Sequence, residues 1–483
     1  MNAAGLAQSI EIKILNGTYA AGARLPSTRD MSEQLGIAPG TVARAYRQLQ
    51  ERGLLQATTG RGTFVAGPSE REDLWDGDHV YFDNDLPEFS RAALTNRWLF
   101  ESRASDGIQL MGGYGDVNKP LGQGLLRQMA SERDAFGNRI AELQPADGAD
   151  DPRTLIAKRL SQMMDHLIEP REIIFGNGAH TLLDMALRAL TRPNDIILAE
   201  HPTYYGALDL FDAHRLKVIP ISRGRDGLDL GALEAAIRVY RPKLFYFTGS
   251  PSTPRGNCLN KTERRELLGI IRRTRLPAIE DSSLWPFNLD SAPTRPLFAN
   301  DETDSIIHIC SFSKWFFPSL RFAVALGRSR EFVRLRQINR GITRIQSAFP
   351  QFEIADYLGS ATFEADLEAS INEYRAARDE LFDALSDRLP RNIVPQRPTA
   401  GFSLWIDLPG SVSTSQLYGQ CTRHGVYPLP GKVFSLEDRT EPGLRLAFGQ
   451  NKKRDLKLAA ERVAKSIGIA LEVPHSEPNR LIP

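Results

Sequence analysis

Cysteine is scarce in this 483-residue chain: only Cys258, Cys310 and Cys421 occur, an odd number without metal-ligand spacing. That scarcity excludes a disulfide framework and a thiolate metal site, and it points to a reducing, cytoplasmic setting. Long apolar runs are missing too. No stretch approaches the ~18 apolar residues that cross a bilayer. The opening MNAAGLAQSIEIKIL has neither the apolar core nor the cleavage pattern of a secretory signal, so a membrane partner is not expected. A charge of one sign is equally absent, since 60 Lys and Arg stand against 59 Asp and Glu. No global field therefore announces a polyanionic partner. There is no internal repeat and no long low-complexity tract. What is present is a soluble globular composition, 41% hydrophobic and 25% charged, on a chain long enough for two or three domains.

Local charge is more informative. Residues 1–66 carry seven Lys or Arg against four acids, which leaves the remainder of the chain mildly acidic. A small basic head on a near-neutral body fits a DNA-binding module joined to a ligand-binding one. Within the head, Leu6, Ile10, Ile14 and Leu15 recur at helical spacing. GARLPSTRDMSEQLGI reads as a turn and a short helix with Ser27 as N-cap and Arg29 in the first turn. A third helix is expected from Pro39 to about Gly53, with Val42, Ala45, Tyr46 and Leu49 on one face. TTGRGTFVAG then reads as two short strands around a Gly-rich tip. Three helices followed by a hairpin are the order of a winged helix-turn-helix, placed at 1–67.

Residues 68–95 are rich in Asp, Glu, Gly and Pro and read as a linker. From 96 to 470 short apolar runs alternate with helices: EIIFGNGAH, DIILAEHP, KVIPIS, KLFYFTGSP, PAIEDSS, SIIHICSFSK and FAVALG. That alternation predicts a mostly parallel, doubly wound sheet. GFSLWIDL and GLRLAFG fall in a smaller α/β subdomain over about 365–470, and residues 471–483 are expected to be a loose tail.

The strongest chemical signal is SFSKWFFPSLRFA, residues 311–323. A strand delivers two hydroxyls, a Lys, and an Arg seven residues later. Pyridoxal 5'-phosphate chemistry needs such a set, because an amine must form a Schiff base and a cation with hydroxyls must hold a dianionic phosphate. A solvated loop lysine is the plainer alternative. The segment resembles the internal-aldimine motif of class I/II aminotransferases. That resemblance implies Lys314 as the Schiff-base lysine, with Ser311, Ser313 and Arg321 on the phosphate.

Other pieces follow in the order of the same family. FGNGAHTLLDMALRAL places Gly178, Ala179 and His180 at a strand-to-helix turn, where backbone N–H groups bind phosphate. EHPTYYGAL resembles the segment that lays an aromatic ring over the pyridine, here Tyr204, although a core tyrosine reads equally well from this stretch alone. In AIEDSS the resemblance makes Asp281 the partner of the pyridinium nitrogen; a strand-end cap is the simpler reading. Arg445 in GLRLAFG matches the Arg that forks onto a substrate carboxylate, against a structural ion pair. Two positions depart from the family. Thr253 stands where an N-P-T-G-like turn has Asn, and Ser283 and Leu284 stand where the family has Tyr. Both missing groups donate to the cofactor's phenolic oxygen, so cofactor binding is expected to persist while turnover weakens.

The head resembles the GntR family of regulators along its whole length, through G-x-x-L-P-S-x-R, T-V-x-x-A-Y-x-x-L and G-x-G-T-F-V. The resemblance implies DNA contacts from Arg29, Thr41, Arg44, Arg61 and Gly62. The usual polar-Arg pair at the start of the recognition helix is Ala38-Pro39 here, which shifts weight to Thr41, Arg44 and the wing. A GntR-type head on an aminotransferase-like body of fold type I is the arrangement of the MocR subfamily. It implies a multidomain homodimer that binds an operator in double-stranded DNA. It also implies sensing of an amine, amino acid or sulfonate through an external aldimine at Lys314, with no metal. The alternatives are a PLP-dependent aminotransferase with an accessory DNA-binding head, and a regulator whose body no longer holds the cofactor.

Overall fold

The computed structural model describes residues 22–51, 54–58, 62–65, 107–131, 142–225, 227–290, 294–436 and 443–472, with isolated positions in the first twenty. Arg61, the expected linker and the residues beyond 472 lie outside the described residues. The chain divides into two compact units, residues 1–93 and 94–483.

In the first unit Ser27 caps α1 (Thr28–Leu35) through a reciprocal box. Its Oγ accepts from the Asp30 N–H at 3.1 Å, and the Asp30 carboxylate accepts from the Ser27 N–H at 3.3 Å. Gly36, in the left-handed region at φ 63°, ends the helix. After a three-residue turn α2 (Pro39–Glu51) begins at its proline. Strands β1 (Leu55–Thr58) and β2 (Gly62–Val65) pair antiparallel as the wing, with Leu55 opposite Val65. The core is the face read from the sequence: Val42, Ala45, Tyr46 and Leu49 are buried with Leu6, Ile10, Leu25, Met31, Leu55 and Val65. The Tyr46 hydroxyl donates to the Pro26 carbonyl at 2.8 Å, which ties α2 to the entry of α1.

Among the described residues the first element of the second unit is β3 (Ile108–Gln109), and the unit is built on an eight-stranded sheet. The strands are β4 (Ile173–Gly176), β5 (Ile196–His201), β6 (Lys217–Gly224), β7 (Gly227–Leu228), β8 (Phe245–Phe247), β9 (Ala278–Asp281), β10 (Ile306–Ser311) and β11 (Ala323–Leu326), in the spatial order β4-β11-β10-β9-β8-β5-β6-β7. Pairing is parallel from β10 through β9, β8 and β5 to β6, and antiparallel at β11 and β7. Every residue of β4, β8, β10 and β11 is buried, as in a sheet covered on both faces. Successive side chains feed opposite cores: Phe245 and Phe247 go to one, Tyr246 with Ile307 and Ile309 to the other. The helices that position the site are α3 (Ala179–Leu190), α4 (Tyr205–Ala213) and the four-residue α5 (Phe312–Trp315).

The C-terminal part packs α6 (Phe363–Ser386) against α7 (Lys453–Glu472). Its sheet has the order β12 (Pro395–Gln396), β13 (Ser403–Asp407), β16 (Gly443–Ala447), β15 (Leu429–Pro430). Two details differ from the sequence reading. Strand β14 (Val426–Tyr427) pairs in parallel with β3, so residues 108–109 join this part although they precede the large sheet. Leu471 and Glu472 close α7 and do not belong to a tail.

Candidate functional site

The parallel strands bring their carboxyl ends to one edge of the large sheet, the usual ligand crevice of such sheets. Gly176, His201, Phe247, Asp281 and Ser311 are the last residues of β4, β5, β8, β9 and β10. Each is followed by one of the segments singled out in the sequence.

From β10 the chain makes the single turn of α5 and returns as β11. Ser313 holds this reversal: its N–H donates to the Phe322 carbonyl at 3.3 Å and its Oγ accepts from the Phe322 N–H at 3.1 Å. Trp315 locks the turn from below, since its indole N–H donates to the Ser283 carbonyl at 2.6 Å. Lys314 lies between these anchors. Burial, and then the positive charge of Arg445, lower its ammonium to about 8, against the pull of Asp281. An amine in that range is still mostly protonated at pH 7, but its neutral fraction, about a tenth, is roughly a hundredfold that of an ordinary lysine, which suits capture of a carbonyl.

Asp281 supplies the negative charge that opposes this lowering. Burial raises its carboxyl above the ordinary carboxylate range, opposed by the Tyr246 hydrogen bond and the charge of Lys314. Its hydrogen-bond partners are hydroxyls: Tyr246 donates to Oδ2 at 3.0 Å and Ser283 to Oδ1 at 3.5 Å. Ser283 also accepts from the Ser311 N–H at 3.1 Å, so it braces two strand ends. Thr253 is held by its backbone, whose N–H donates to Thr248 Oγ1 at 2.8 Å. Thr248 in turn donates to Glu200, and Glu200 pairs with Arg223 at 2.8 Å in full burial.

The N-terminus of α3 faces Arg321. Gly178 has φ 95°, and no side chain caps the helix. Arg321, itself left-handed at φ 48°, donates to the Asn177 carbonyl at 3.0 Å. Ala179 and His180 occupy the first turn. His180 presents much of its side chain to solvent, yet partial desolvation of its ring and the charge of Arg321 hold it below its ordinary pKa, against Asp184. Tyr204 is the N-cap residue of α4, its ring 5.0 Å from that of Tyr205.

Arg445 lies in β16, buried, with its guanidinium 5.2 Å from the Phe434 ring. It donates to the Met111 carbonyl, while its Nε is buried without a hydrogen-bond partner. The residues around Met111 escaped the sequence reading. Gly113 packs against the Arg445 guanidinium, the Tyr114 ring lies 5.8 Å from the Lys314 amine, and the Gly115 N–H donates to the Lys314 carbonyl at 2.8 Å. GGYG, three glycines around a tyrosine, was the available signal of a close backbone approach. Tyr246 was missed as well, though it is the one polar side chain in the buried run FYF.

In the first unit Arg29 and Arg44 are exposed and Thr41 is partly so; Thr41 and Arg44 lie three residues apart on α2. Gly62 starts β2 at φ 119°, and a β-carbon there would meet Arg24 Nε at 2.8 Å. Arg24 is a basic neighbour of the wing that was not singled out.

Residues 78–463 match the family of class I and II aminotransferases, and residues 2–65 match the gntR family of bacterial regulatory proteins. The chain is 27% identical over 445 residues to the HTH-type transcriptional regulator YdcR of Escherichia coli, covering 89% of this chain and 91% of that one. It is 24% identical over 469 residues to the regulator YisV of Bacillus subtilis, covering 95% and 94%. Among solved structures it resembles the kynurenine aminotransferase of Pyrococcus horikoshii, with TM-score 0.75 and 20% identity over 83% of this chain and all of that one.

The cofactor implied by this membership is pyridoxal phosphate, and the residues present fit it. A partly neutral lysine amine, a buried carboxylate partnered by hydroxyls, and an uncapped helix N-terminus facing an arginine are groups that could hold its aldehyde, ring nitrogen and phosphate. The glycine between that helix and that arginine leaves a cradle a β-carbon would fill. The chain belongs to the class I and II aminotransferase family and carries a GntR-type DNA-binding domain ahead of it, the arrangement of the MocR regulators.

Proposed function

We propose that this protein is a homodimeric, cytoplasmic transcriptional regulator whose aminotransferase-like body senses a primary amine or amino acid and passes that state to the winged helix. One observation carries the reading. The same chain presents Thr41 and Arg44 on an accessible helix face and gathers Lys314, Asp281 and Arg321 in one crevice, yet has no Asn at 253 and no Tyr at 283 or 284.

Bound in this crevice, the cofactor supplies an electrophilic carbonyl carbon conjugated to an electron-withdrawing ring. The chain supplies the rest. Lys314 would offer its amine, Asp281 would hold a proton at the ring nitrogen, and Arg321 with Ser311, Ser313 and the Gly178–His180 turn would take the phosphate. Tyr204 would lie against the ring, and Arg445 would fork onto an effector carboxylate or sulfonate. With Ser283 engaged by Asp281 and Ser311, no side chain at 283 or 284 tunes the phenolic oxygen. That omission favours reversible capture of an amine over rapid turnover. The effector can move the DNA-binding heads only by binding one arrangement of the dimer more tightly than the other. Two heads read two half-sites, through Arg29, Thr41, Arg44 and the wing at Arg61 and Gly62.

The test sets operator affinity, with and without amine, beside steady-state transamination of the same amines. Amine-dependent DNA affinity with little turnover is expected. Fast turnover with amine-independent DNA binding would mark an aminotransferase with an accessory head.

A further inference from the structure

The turn that carries Thr253 contains a residue with no role in the site as described so far. Arg255 follows Thr253 by two positions and is 9% exposed. Its guanidinium does not point at the crevice. Nη1 donates to Asp407 Oδ1 at 2.8 Å, and the group lies 5.4 Å from the Trp405 ring. Trp405 belongs to β13 and stands directly opposite Arg445 in the pairing with β16. Cross-strand partners project from the same face of a sheet. Between the two lies Phe434, its ring 6.0 Å from Trp405, edge to face, and 5.2 Å from the Arg445 guanidinium. The result is one continuous stack: guanidinium, phenyl, indole, guanidinium. It runs from the arginine facing the effector to the turn at the cofactor's side.

Asp407 fixes the far end. Its carboxylate accepts from Arg255, from the Trp405 indole N–H at 2.7 Å, from Arg225 at 2.9 Å and from Gln396 at 3.1 Å. Burial opposes its charge, but Arg255, then Arg225 and Trp405, hold it below the ordinary carboxylate range. The near end is held more lightly. Arg445 has a described hydrogen bond only to Met111, and the Nε atoms of both arginines are buried without partners. Arg445 is therefore oriented by the Met111 carbonyl and by the aromatic face beneath it, and Arg255 and Asp407 hold the Trp405 side of that face.

We infer that Arg255 is a positioning residue for Arg445, acting through Trp405 and Phe434, and that it thereby sets the preference of the crevice for amines that carry a carboxylate. This rests on the proposed reading of Arg445 as the effector's carboxylate partner.

The test uses the full-length holoprotein and three matched pairs of amines: glycine with methylamine, L-alanine with ethylamine, and 4-aminobutanoate with propylamine. Affinity is read from the change in cofactor absorbance. The wild type prefers the carboxylate-bearing member of at least one pair. Arg255→Thr lowers that preference about tenfold while the simple amine binds within about twofold of wild type, the scale of a lost guanidinium–aromatic contact and its fixed geometry. Arg255→Lys, which keeps a cation over Trp405, recovers part of the preference. Arg225→Ala, which removes an Asp407 donor outside the stack, leaves it unchanged. An Arg255→Thr protein with the wild-type preference overturns the inference, and so does one that loses both members of the pair equally. A wild type whose absorbance responds to amines without favouring carboxylates overturns the role of Arg445 instead. A wild type that responds to no amine overturns the sensing function itself.

Discussion

A β-carbon on Gly178 would stand 2.7 Å from Nη2 of Arg321. The helix N-terminus and the guanidinium thus approach each other so closely that an added β-carbon would push the Arg321 guanidinium aside, and the backbone there, at φ 95°, favours glycine. Gly178→Ala is therefore expected to weaken pyridoxal phosphate binding by about tenfold or more, equivalent to ~1.4 kcal/mol. Equilibrium dialysis of the cofactor measures it. DNA binding by the apoprotein should not change.

Lys314 gives a pH prediction. The neutral amine attacks a carbonyl, and the Lys314 ammonium is lowered to about 8 by burial and by Arg445. The rate at which the apoprotein captures pyridoxal phosphate should rise with pH through about 8 and level off above it. An unperturbed lysine would keep gaining up to about 10.4. Stopped-flow absorbance across that range separates the two, and Lys314→Ala should show no capture at any pH.

The wing offers a purely structural test. Gly62 combines φ 119° with the close approach of Arg24 Nε. Gly62→Val should destabilise the hairpin by roughly 1–3 kcal/mol, the scale of forcing a branched residue into that region. Operator affinity should fall while cofactor absorbance stays constant. Arg44→Ala, on an exposed face whose guanidinium makes one described contact, to the Gly40 carbonyl at 3.3 Å, should weaken operator binding with little loss of stability. It should also reduce the salt dependence of binding.

Glu200 and Arg223 form an ion pair 0% and 2% exposed beneath the Thr253 turn. Removing one partner strands the other in the core. Glu200→Ala should cost about 3–5 kcal/mol, read as a lower denaturation midpoint, whereas Lys217→Ala at the exposed start of the neighbouring β6 should cost little.

Much of this architecture is legible along the chain because its signals are local. The SFSK segment, the Gly178 turn and the Ser27 cap each need only neighbours in sequence, and the short apolar runs between helices give the strands of the large sheet. The crevice is harder to read where its parts come from distant segments. Tyr114 reaches Lys314 across two hundred residues, and Arg255 meets Asp407 across 152. Tyr246 reads as one more apolar strand residue until β8 is laid beside β9, which turns its hydroxyl toward Asp281. The pairing of β3 with β14 is illegible for the same reason, since two residues carry no periodicity.

Amine capture at Lys314 is proposed to govern DNA binding by the winged helix. Fluorescence anisotropy of operator DNA, titrated with holoprotein at increasing amine concentration, tests it most directly. DNA affinity is expected to change with the same midpoint as the cofactor absorbance, and Lys314→Ala to abolish both responses while still binding DNA. A DNA affinity that stays constant while the absorbance shifts would contradict it.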